Sequence, residues 1–416
     1  MEQLICRLSL CILFISTLSA CLSPITLNRA VMAYDEAVVN ADAKQLLVNI
    51  ARARHHQPLH FTRVSAIAAT FNFSANAGAS PALTGAHGGM LVPIFGGGVS
   101  ENPTFSIEPI AGEEFTQRLL APFSQHKFTL LLRQHFDVDL MLRMMAQEVT
   151  LLNLPAIQLD KKHEDRVRLP QQRYSQKITY YNSPSDREGY EMFRRVALHF
   201  SAIQDQKQLY AEPLMFERSW TIPAGAVSAE GFQSLQKEFT VRYNQKGGTY
   251  TLSKQVSGPI LITNYDPDTL RVKEVEDLYS LANSLIDNDV IFDIRSGYVG
   301  GEWTLRGSFR LRSFHAILNF LGHSLGEEPE YHVEKDSRTP PILRDENPIN
   351  TMEILVSNKP IPNTELSAHL DGQYYAINTK EPDAHWNQNA FQLLYILFRL
   401  TVTEAKSLAL PITIAK

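Results

Sequence analysis

Apolar residues recur at helical spacing between Leu27 and Arg54, the first clear pattern along the chain. They fall three or four positions apart, which makes one stripe of a helix apolar, and Pro58 ends the pattern. The stretch 40–42 (Asn-Ala-Asp) marks a point where this helix can break. The pattern predicts that a helix within 21–60, and not a long disordered linker, connects the N-terminal end of the chain to its folded body. We call it the tether helix.

The segment 64–110 alternates instead with a period of two. The odd positions in 67–77 are Ile, Ala, Phe, Phe, Ala and Ala, whereas the even positions in 68–76 are Ala, Thr, Asn, Ser and Asn. Period two is typical of a strand, and 104–108 alternates again after a glycine-rich stretch. We predict a long, Gly-rich β-hairpin in 61–111 with a flexible tip.

Such a hairpin carries unpaired backbone groups along both outer edges. Its first alternating run of about ten residues is long enough to cross a bilayer as a tilted strand. Several subunits could each contribute one hairpin to a closed sheet, which would pair every backbone group. The alternative is a hairpin that packs its apolar face on the body of its own chain.

Helical spacing returns in the residues 112–158, with candidate helices at 112–120, 124–134 and 137–152. The buried stripes of this helical segment would be formed by Leu130, Leu131, Met141, Met144 and Met145. Methionine is an adaptable core residue, so we interpret the three methionines as packing residues and not as a set of metal ligands.

Strand and helix patterns are mixed in the residues 159–416, without the regular rhythm of a βαβ fold. The strand candidates are 177–181, 209–216, 241–245, 249–255, 260–265, 290–294, 303–311, 351–356, 373–377 and 408–414. The helix candidates are 187–204, 229–238, 268–283, 313–321 and 387–401. We expect an α+β fold with a mixed, mainly antiparallel sheet, in one domain or in two with a break near 226–247 or 338–350.

The first twenty residues have the layout of an export signal. Arg7 is followed by the apolar run 8–18 and by 18–21 (Leu-Ser-Ala-Cys). These four residues resemble the lipobox of bacterial lipoproteins, which implies cleavage before Cys21 and acylation of both its thiol and its new α-amine. Glu2 departs from the usual basic start, so an ordinary secretory signal or an uncleaved anchor stays open. Two or three acyl chains hold a protein firmly on a bilayer.

The residue after the cysteine is Leu22, and the absence of Asp there resembles the enterobacterial pattern that implies the outer membrane, facing the periplasm. The three cysteines of the chain are Cys6, Cys11 and Cys21. A mature chain beginning at Cys21 therefore has no disulfide and no thiolate metal site. With 39 Lys+Arg against 44 Asp+Glu the net charge is −5, which gives no electrostatic case for nucleic acid. We expect the membrane as a partner and no cofactor.

Two stretches of the N-terminal half carry a further resemblance. They are Val39–Ile50 (VNADAKQLLVNI) and Ser100–Phe105 (SENPTF), the second leading to Gly112–Phe115 (GEEF). Both are similar to a group of proteobacterial lipoproteins without an established activity. The similarity covers residues 39–120, implies an envelope location and supplies no catalytic residues.

The residues 322–326 (Gly-His-Ser-Leu-Gly) match the G-x-S-x-G nucleophile elbow of α/β-hydrolases. The nucleophile, its acidic partner and its base would be Ser324, Asp371 or Asp383, and His385. The elbow requires a buried strand before the serine, whereas 314–321 has helical spacing. A serine esterase or lipase built on Ser324, Asp371 and His385 is therefore the alternative to a non-enzymatic protein.

Two other groups of residues suggest ligands. His55, His56 and His60 cluster in the sequence, but adjacent helical residues diverge by about 100° and no H-E-x-x-H spacing occurs, so we predict no metal site. A second group consists of Arg306, Arg310 and Arg312, which alternate with apolar residues. Three guanidiniums on one strand face could clamp an anionic ligand such as a lipid phosphate. The alternative is a solvated outer face of a sheet.

Together these patterns favour a lipid-anchored, periplasm-facing α+β protein of the cell envelope. We expect a non-enzymatic structural, assembly or binding component that forms a homo-oligomer through the 64–110 hairpin, with another envelope protein as a possible partner.

Overall fold

The computed structural model describes residues 2–81, 91–152, 177–282, 288–342, 347–364 and 366–402. The fold is α+β, as predicted. The helices are α1 (Glu2–Arg54), α2 (Glu113–Leu120), α3 (Gln125–Arg133), α4 (Val138–Met145), α5 (Arg187–Asp205), α6 (Ala229–Glu238), α7 (Val272–Ala282), α8 (Phe314–Ser324) and α9 (Ala384–Thr401), with short 3-10 helices at Ala224–Ala226 and Pro267–Thr269. The strands are β1 (Phe61–Pro81), β2 (Leu91–Ile110), β3 (Ala146–Leu152), β4 (Lys177–Tyr181), β5 (Tyr210–Pro223), β6 (Thr240–Asn244), β7 (Thr249–Thr263), β8 (Asp289–Ile294), β9 (Leu305–Leu311), β10 (Ile354–Ser357), β11 (Ser367–Leu370) and β12 (Gln373–Ile377).

The chain forms two compact units. The first comprises Met1–Leu46, Pro58–Phe115 and Val402–Lys416, and the second comprises Leu47–Gln57 and Thr116–Thr401. The last turns of α1 therefore belong to the second unit.

The first unit contains most of α1 and the antiparallel hairpin of β1 and β2. The predicted break at 40–42 is wrong, because α1 is continuous. Asn40 is exposed, whereas Ala43 and Leu46 continue the buried stripe, so a polar residue on the outer side does not interrupt the helix. Near the base of the hairpin, the rings of Tyr34 and Phe105 meet edge to face at 5.8 Å.

The second unit is built on a seven-stranded sheet with the order β4-β3-β9-β8-β7-β5, and β6 also pairs with β7. Neighbouring strands are antiparallel except for β7 and β8. Helix α5 lies on this sheet, where Phe200 packs edge-on against Phe292 and Phe309. A Cβ at Gly307 would overlap the carbonyl oxygen of Thr150, so close pairing of β9 with β3 requires a glycine.

The helix predicted over 137–152 is wrong in its second half. Helix α4 ends at Met145, and the chain continues directly as β3 in the interior of the sheet. The β-branched residues Val149 and Thr150 favour a strand, and Val149 is fully buried opposite Phe309. Tertiary burial therefore outweighs the helical spacing of the preceding methionines.

A smaller sheet of the second unit has the order β10-β12-β11. The hairpin of β11 and β12 turns at Asp371 and Gly372, whose φ angles are 49° and 79°. Two positive φ angles are the mark of a type I′ turn, for which Asp-Gly is a favoured pair. Strand β11 was not predicted, and the strand predicted at 408–414 lies outside the described residues.

Candidate functional site

The hairpin of β1 and β2 is the candidate interaction site of the first unit. Its pairing runs from Phe61 opposite Ile110 to Pro81 opposite Leu91, with one register shift between Val64 and Ala66. Strands of 21 and 20 residues extend roughly 65–70 Å at about 3.3–3.4 Å per residue. The predicted tip falls at 82–90, outside the described residues.

The register places apolar positions opposite one another in several pairs and polar positions opposite one another in others, whereas Phe71 stands opposite Glu101. Apolar positions face each other in the pairs Ile67 with Phe105, Phe73 with Val99 and Ala77 with Phe95. Polar positions face each other in the pairs Thr70 with Asn102 and Asn72 with Ser100. At the base of β2, Phe105 is 45% exposed and Ile107 is 65% exposed. The apolar side of the hairpin base therefore stays partly open to solvent.

The outer edges of the hairpin carry free pairing capacity. Within the described residues β1 and β2 form a two-stranded sheet, so no third strand pairs with either edge there. At the base, the backbone N–H of Thr62 donates to Oε1 of Gln45 on α1 at 2.7 Å. This side-chain contact stands where a further strand would otherwise bind.

Prolines distinguish the two outer edges. Pro93, Pro103 and Pro109 of β2 are spaced by even numbers of residues. Proline has no N–H to donate, so each stands where an N–H would point away from β1, which leaves three gaps in the outer edge of β2. The residue opposite Pro109 is Thr62, whose N–H does point outward. β1 has no proline before Pro81, so its outer edge keeps its donors.

Cys21, the predicted lipidation site, lies within α1. In the described part of the chain, no helix combines the length and the apolar character needed to span a membrane. Acylation of Cys21 stays a prediction from the sequence.

Ser324 is the last residue of α8, so helix and not strand precedes it. Its hydroxyl donates to the carbonyl oxygen of Leu321 at 2.8 Å. Gly322 serves packing: an added Cβ would lie 2.6 Å from the backbone nitrogen of Arg54 at the end of α1. The pentapeptide therefore lacks the strand-turn-helix geometry of a nucleophile elbow.

The other residues of the predicted hydrolase site have local roles. The carboxylate of Asp371 accepts a hydrogen bond from Nε2 of Gln57 at 2.6 Å, beside the type I′ turn. Asp383 precedes α9, and its carbonyl oxygen accepts the N–H of Asn387. His385 Nε2 lies 3.3 Å from the side-chain amide nitrogen of Asn389 on the same helix.

Two of the three predicted ligand-binding arginines face carboxylates of neighbouring strands. Arg306 Nε lies 3.1 Å from Oδ1 of Asp293. Arg310 lies 3.2 Å from Asp289 and 3.0 Å from Glu148. Burial works to raise the pKa of Asp293, but the adjacent guanidiniums of Arg306 and Arg295 lower it overall. These arginines therefore neutralise acids of their own sheet.

The third, Arg312, does not share that face, which corrects the prediction of three guanidiniums in a row. It lies beyond β9 and is buried, where it donates to the carbonyl oxygens of Arg143, Met144 and Asn182. Its guanidinium also stacks over Phe320 at 4.0 Å. Burial lowers the pKa of Arg312 to about 9, so the side chain is still a cation at neutral pH. Its donors satisfy backbone acceptors and are not available to an external anion.

The sequence patterns did not predict a buried ion-pair network that involves α4 and α5. Arg143 on α4 is fully buried and lies 3.2 Å from Oε1 of Glu330. Glu330 also accepts hydrogen bonds from the hydroxyl of Tyr190 and from the backbone N–H and hydroxyl of Thr351. Burial, followed by the Glu330 charge, raises the pKa of Tyr190 well above its usual value, which keeps the phenol a donor.

A second pair extends this network. Arg194 on α5 lies 2.5 Å from Oδ1 of Asp139 on α4, and both residues are buried. The two pairs join residues 187 and 55 positions apart. No local spacing can reveal such partners, and the network is structural because each carboxylate is bonded to groups of its own chain.

His55 and His56, two of the three histidines that cluster in the sequence, have different surroundings in the structure. His55 Nε2 lies 3.0 Å from the hydroxyl of Tyr375. His56 instead lies beside His323 and Glu327, and one ligand atom from each of these three residues falls within 4.8 Å of the other two. The contributors are up to 271 positions apart, so adjacent-histidine spacing could not reveal them.

No protein-family model, curated protein or solved structure matches this chain.

Proposed function

We propose that the chain is a lipid-anchored structural or assembly component of the bacterial cell envelope, held at the periplasmic face of the outer membrane and self-associating through the hairpin 64–110. The observation that carries the proposal is the long hairpin whose outer edges pair with no further strand in the described residues. The lipobox-like 18–21 supports the anchor, and no catalytic group is part of the proposal.

A two-stranded hairpin gains little stability in water by itself. Long edges with free N–H and C=O groups are templates for pairing with another chain. A second copy carries the same two edges, so it offers a strand of matching length. The β1 edge has no proline before Pro81 and is the stronger row of donors, so we assign it the primary contact.

An acyl anchor at Cys21 favours this association. It confines the chains to one surface, which raises the effective concentration of each hairpin for its neighbours. Pairing of β1 with β2 of the next copy is heterologous and closes only when the rotation per subunit allows a ring, whereas pairing of β1 with β1 gives a two-fold dimer. The particle mass distinguishes these two forms of the assembly.

The decisive experiment compares the particle mass of the detergent-extracted mature protein with that of a variant in which a short linker replaces 64–110. We expect a multimer for the intact chain and a monomer for the variant. A monomeric intact protein at every concentration would refute self-association and leave a tethered envelope protein.

The anchor is tested separately with radiolabelled palmitate in a bacterial host. We expect Cys21→Ser to lose the label, whereas Cys11→Ser keeps it because Cys11 lies in the predicted signal peptide. Equal labelling of the two variants would contradict acylation at Cys21.

A further inference from the structure

The side chains of His56, His323 and Glu327 converge at one place in the second unit. His56 Nε2 lies 3.2 Å from Oε1 of Glu327, and the rings of His56 and His323 are 5.4 Å apart with an angle of 52° between their planes. One nitrogen of each histidine and one carboxylate oxygen all fall within 4.8 Å of one another. The His56 and Glu327 side chains are 64% and 62% exposed, so the place is open to solvent.

The end of α1 presents His56 to this place. His56 follows the last turn of α1, and its N–H donates to the carbonyl oxygen of Ala53. Its φ of 52° puts it in the left-handed region, which histidine enters more readily than most residues. The turn directs His56 away from His55, whose ring contacts Tyr375 instead.

The end of α8 supplies the other two groups. Gly322 allows α8 to approach the end of α1 closely, since a Cβ there would meet backbone atoms of Arg54 and Ala53 within 3 Å. The carbonyl oxygen of His323 accepts the N–H groups of Gly326 and Glu328, which folds the chain back over the helix end. Glu327 lies in this turn, four residues after His323.

The neighbouring acid has a separate partner. The carboxylate of Glu328 accepts a hydrogen bond from the hydroxyl of Ser183 at 2.9 Å. Glu327, in contrast, reaches His56. The donor set is therefore two imidazole nitrogens and one carboxylate, with one formal negative charge.

We propose that His56, His323 and Glu327 form a binding site for a divalent cation of the Zn²⁺ type. Two histidines and a glutamate are an established zinc ligand set, and such sites leave a coordination position for water. With metal-ligand bonds of about 2.0–2.1 Å, ligand atoms in a tetrahedral site stand about 3.3 Å apart. The His56–Glu327 distance of 3.2 Å already matches that spacing.

The remaining separations need to shorten by at most about 1.5 Å, from the 4.8 Å limit to the tetrahedral spacing. Rotation of the exposed His56 and Glu327 side chains supplies this closure without backbone movement. The bound cation joins the end of α1 to the end of α8, so it stabilises the folded chain, which alone brings the three ligands together.

Titration of the untagged, detergent-extracted chain with ZnCl₂ by calorimetry, and with CoCl₂ by visible absorption, tests the site. We expect one Zn²⁺ per chain, with Co²⁺ giving ligand-field bands. His56→Asn keeps a residue suited to positive φ but removes the imidazole, and Glu327→Gln keeps the side-chain shape but removes the charge. Each change, and His323→Gln, should weaken binding by at least about tenfold, since even outer-shell losses reach that size.

His135→Asn is the matched control. His135 is also exposed, has a φ of 63° and follows a helix end, but in the described part of the chain it belongs to no comparable group of ligands. We expect it to bind Zn²⁺ like the unaltered chain. Equal Zn²⁺ affinity in His56→Asn and the unaltered chain would overturn the proposal. Unchanged affinity in Glu327→Gln would overturn it as well, because the contact between His56 and Glu327 would then be only an ion pair.

Discussion

The seven-stranded sheet and the hairpin sheet differ in the strands that form their edges. The seven-stranded sheet ends on one side in β4, which has five residues, and on the other in β5, which contains Pro213 and Pro223 and a register shift. The hairpin sheet ends on one side in β2, which contains three prolines, and on the other in β1, which has 21 residues, no proline before Pro81 and one register shift near its start, between Val64 and Ala66. Short strands, prolines and bulges are the features that keep sheet edges from pairing with other chains.

The same contrast holds for polar side chains. In the larger sheet the arginines of β9 face carboxylates of adjacent strands, and the interior charges of α4 and α5 are paired. Charged groups that are already paired within their own chain are poor candidates for binding another chain. Backbone groups of the hairpin edges pair with no further strand of the described chain, so the partner is to be sought there.

The largest expected effect lies in the second unit, at Glu330. Glu330→Gln removes the charge that balances the buried Arg143, and we expect it to lower the free energy of unfolding by about 3–5 kcal/mol. Glu334→Gln is the control, because Glu334 is 86% exposed and its partner is His332. Urea unfolding measures both. A loss below about 1 kcal/mol for Glu330→Gln would show that the network does not stabilise the second unit.

We expect the stability of the second unit to depend on pH through His199. Burial lowers the pKa of this histidine from 6.5 to about 4. Between these values the unfolded chain binds a proton that the folded chain does not, so stability falls as pH decreases from about 6.5 to about 4, by roughly 3 kcal/mol. Urea unfolding across this range should show the loss in the unaltered chain and a flatter profile in His199→Gln. Parallel profiles would contradict a buried neutral histidine.

Gly322 tests the close approach of α1 and α8. Gly322→Ala puts a Cβ 2.6 Å from a backbone nitrogen, and we expect a loss of about 1–3 kcal/mol. Gly326→Ala is the matched control, since its Cβ would meet only a side-chain atom of Arg54 at 3.5 Å, and a change within about 0.5 kcal/mol is expected. Thermal unfolding compares the two. If Gly322→Ala lowered the free energy of unfolding no more than Gly326→Ala, the end of α8 could move away from the end of α1 without a cost in stability.

Sequence periodicity predicted most of the elements, and its failures have physical causes. The hairpin, α1 and α5 carry long patterns that a single period explains. In 146–152 the buried position of β3 outweighed the preceding helical spacing. Asp371 enters the sequence predictions only as an acid of the alternative hydrolase site, although Asp-Gly is a direct signal for the turn that it forms.

The candidate sites were harder to predict because their partners are distant in sequence. The apolar alternation of 67–77 was visible, but only the register shows which positions face each other. Arg312 shares the spacing of Arg306 and Arg310, yet it lies past the end of β9, where backbone carbonyls bind it. Glu327 gives no local sign of its contact with His56, which depends on the packing of α8 on the end of α1.

The smallest effect on stability is expected from proline substitutions at the outer edge of β1. These substitutions test whether this edge, unlike the edges of the seven-stranded sheet, pairs with another subunit. Ala69 stands opposite Pro103, so its N–H points away from β2, and Ala75 has the same orientation because it is six residues later. In the double variant Ala69→Pro, Ala75→Pro the hairpin keeps its internal hydrogen bonds. We expect the free energy of unfolding to change by less than about 1 kcal/mol, while the particle mass falls to that of a monomer.

Ala68→Pro provides the contrast one residue away, because the N–H of Ala68 points toward β2. It should open the hairpin itself, which amide hydrogen exchange detects as lost protection in β1 and β2. If the double variant keeps the mass of the unaltered protein, the β1 edge is not the contact between subunits, and the three gaps in the β2 edge do not direct pairing to β1. If the double variant is a monomer with an intact hairpin, the outward N–H groups of Ala69 and Ala75 contribute to the contact between subunits, although the fold of the single chain does not need them.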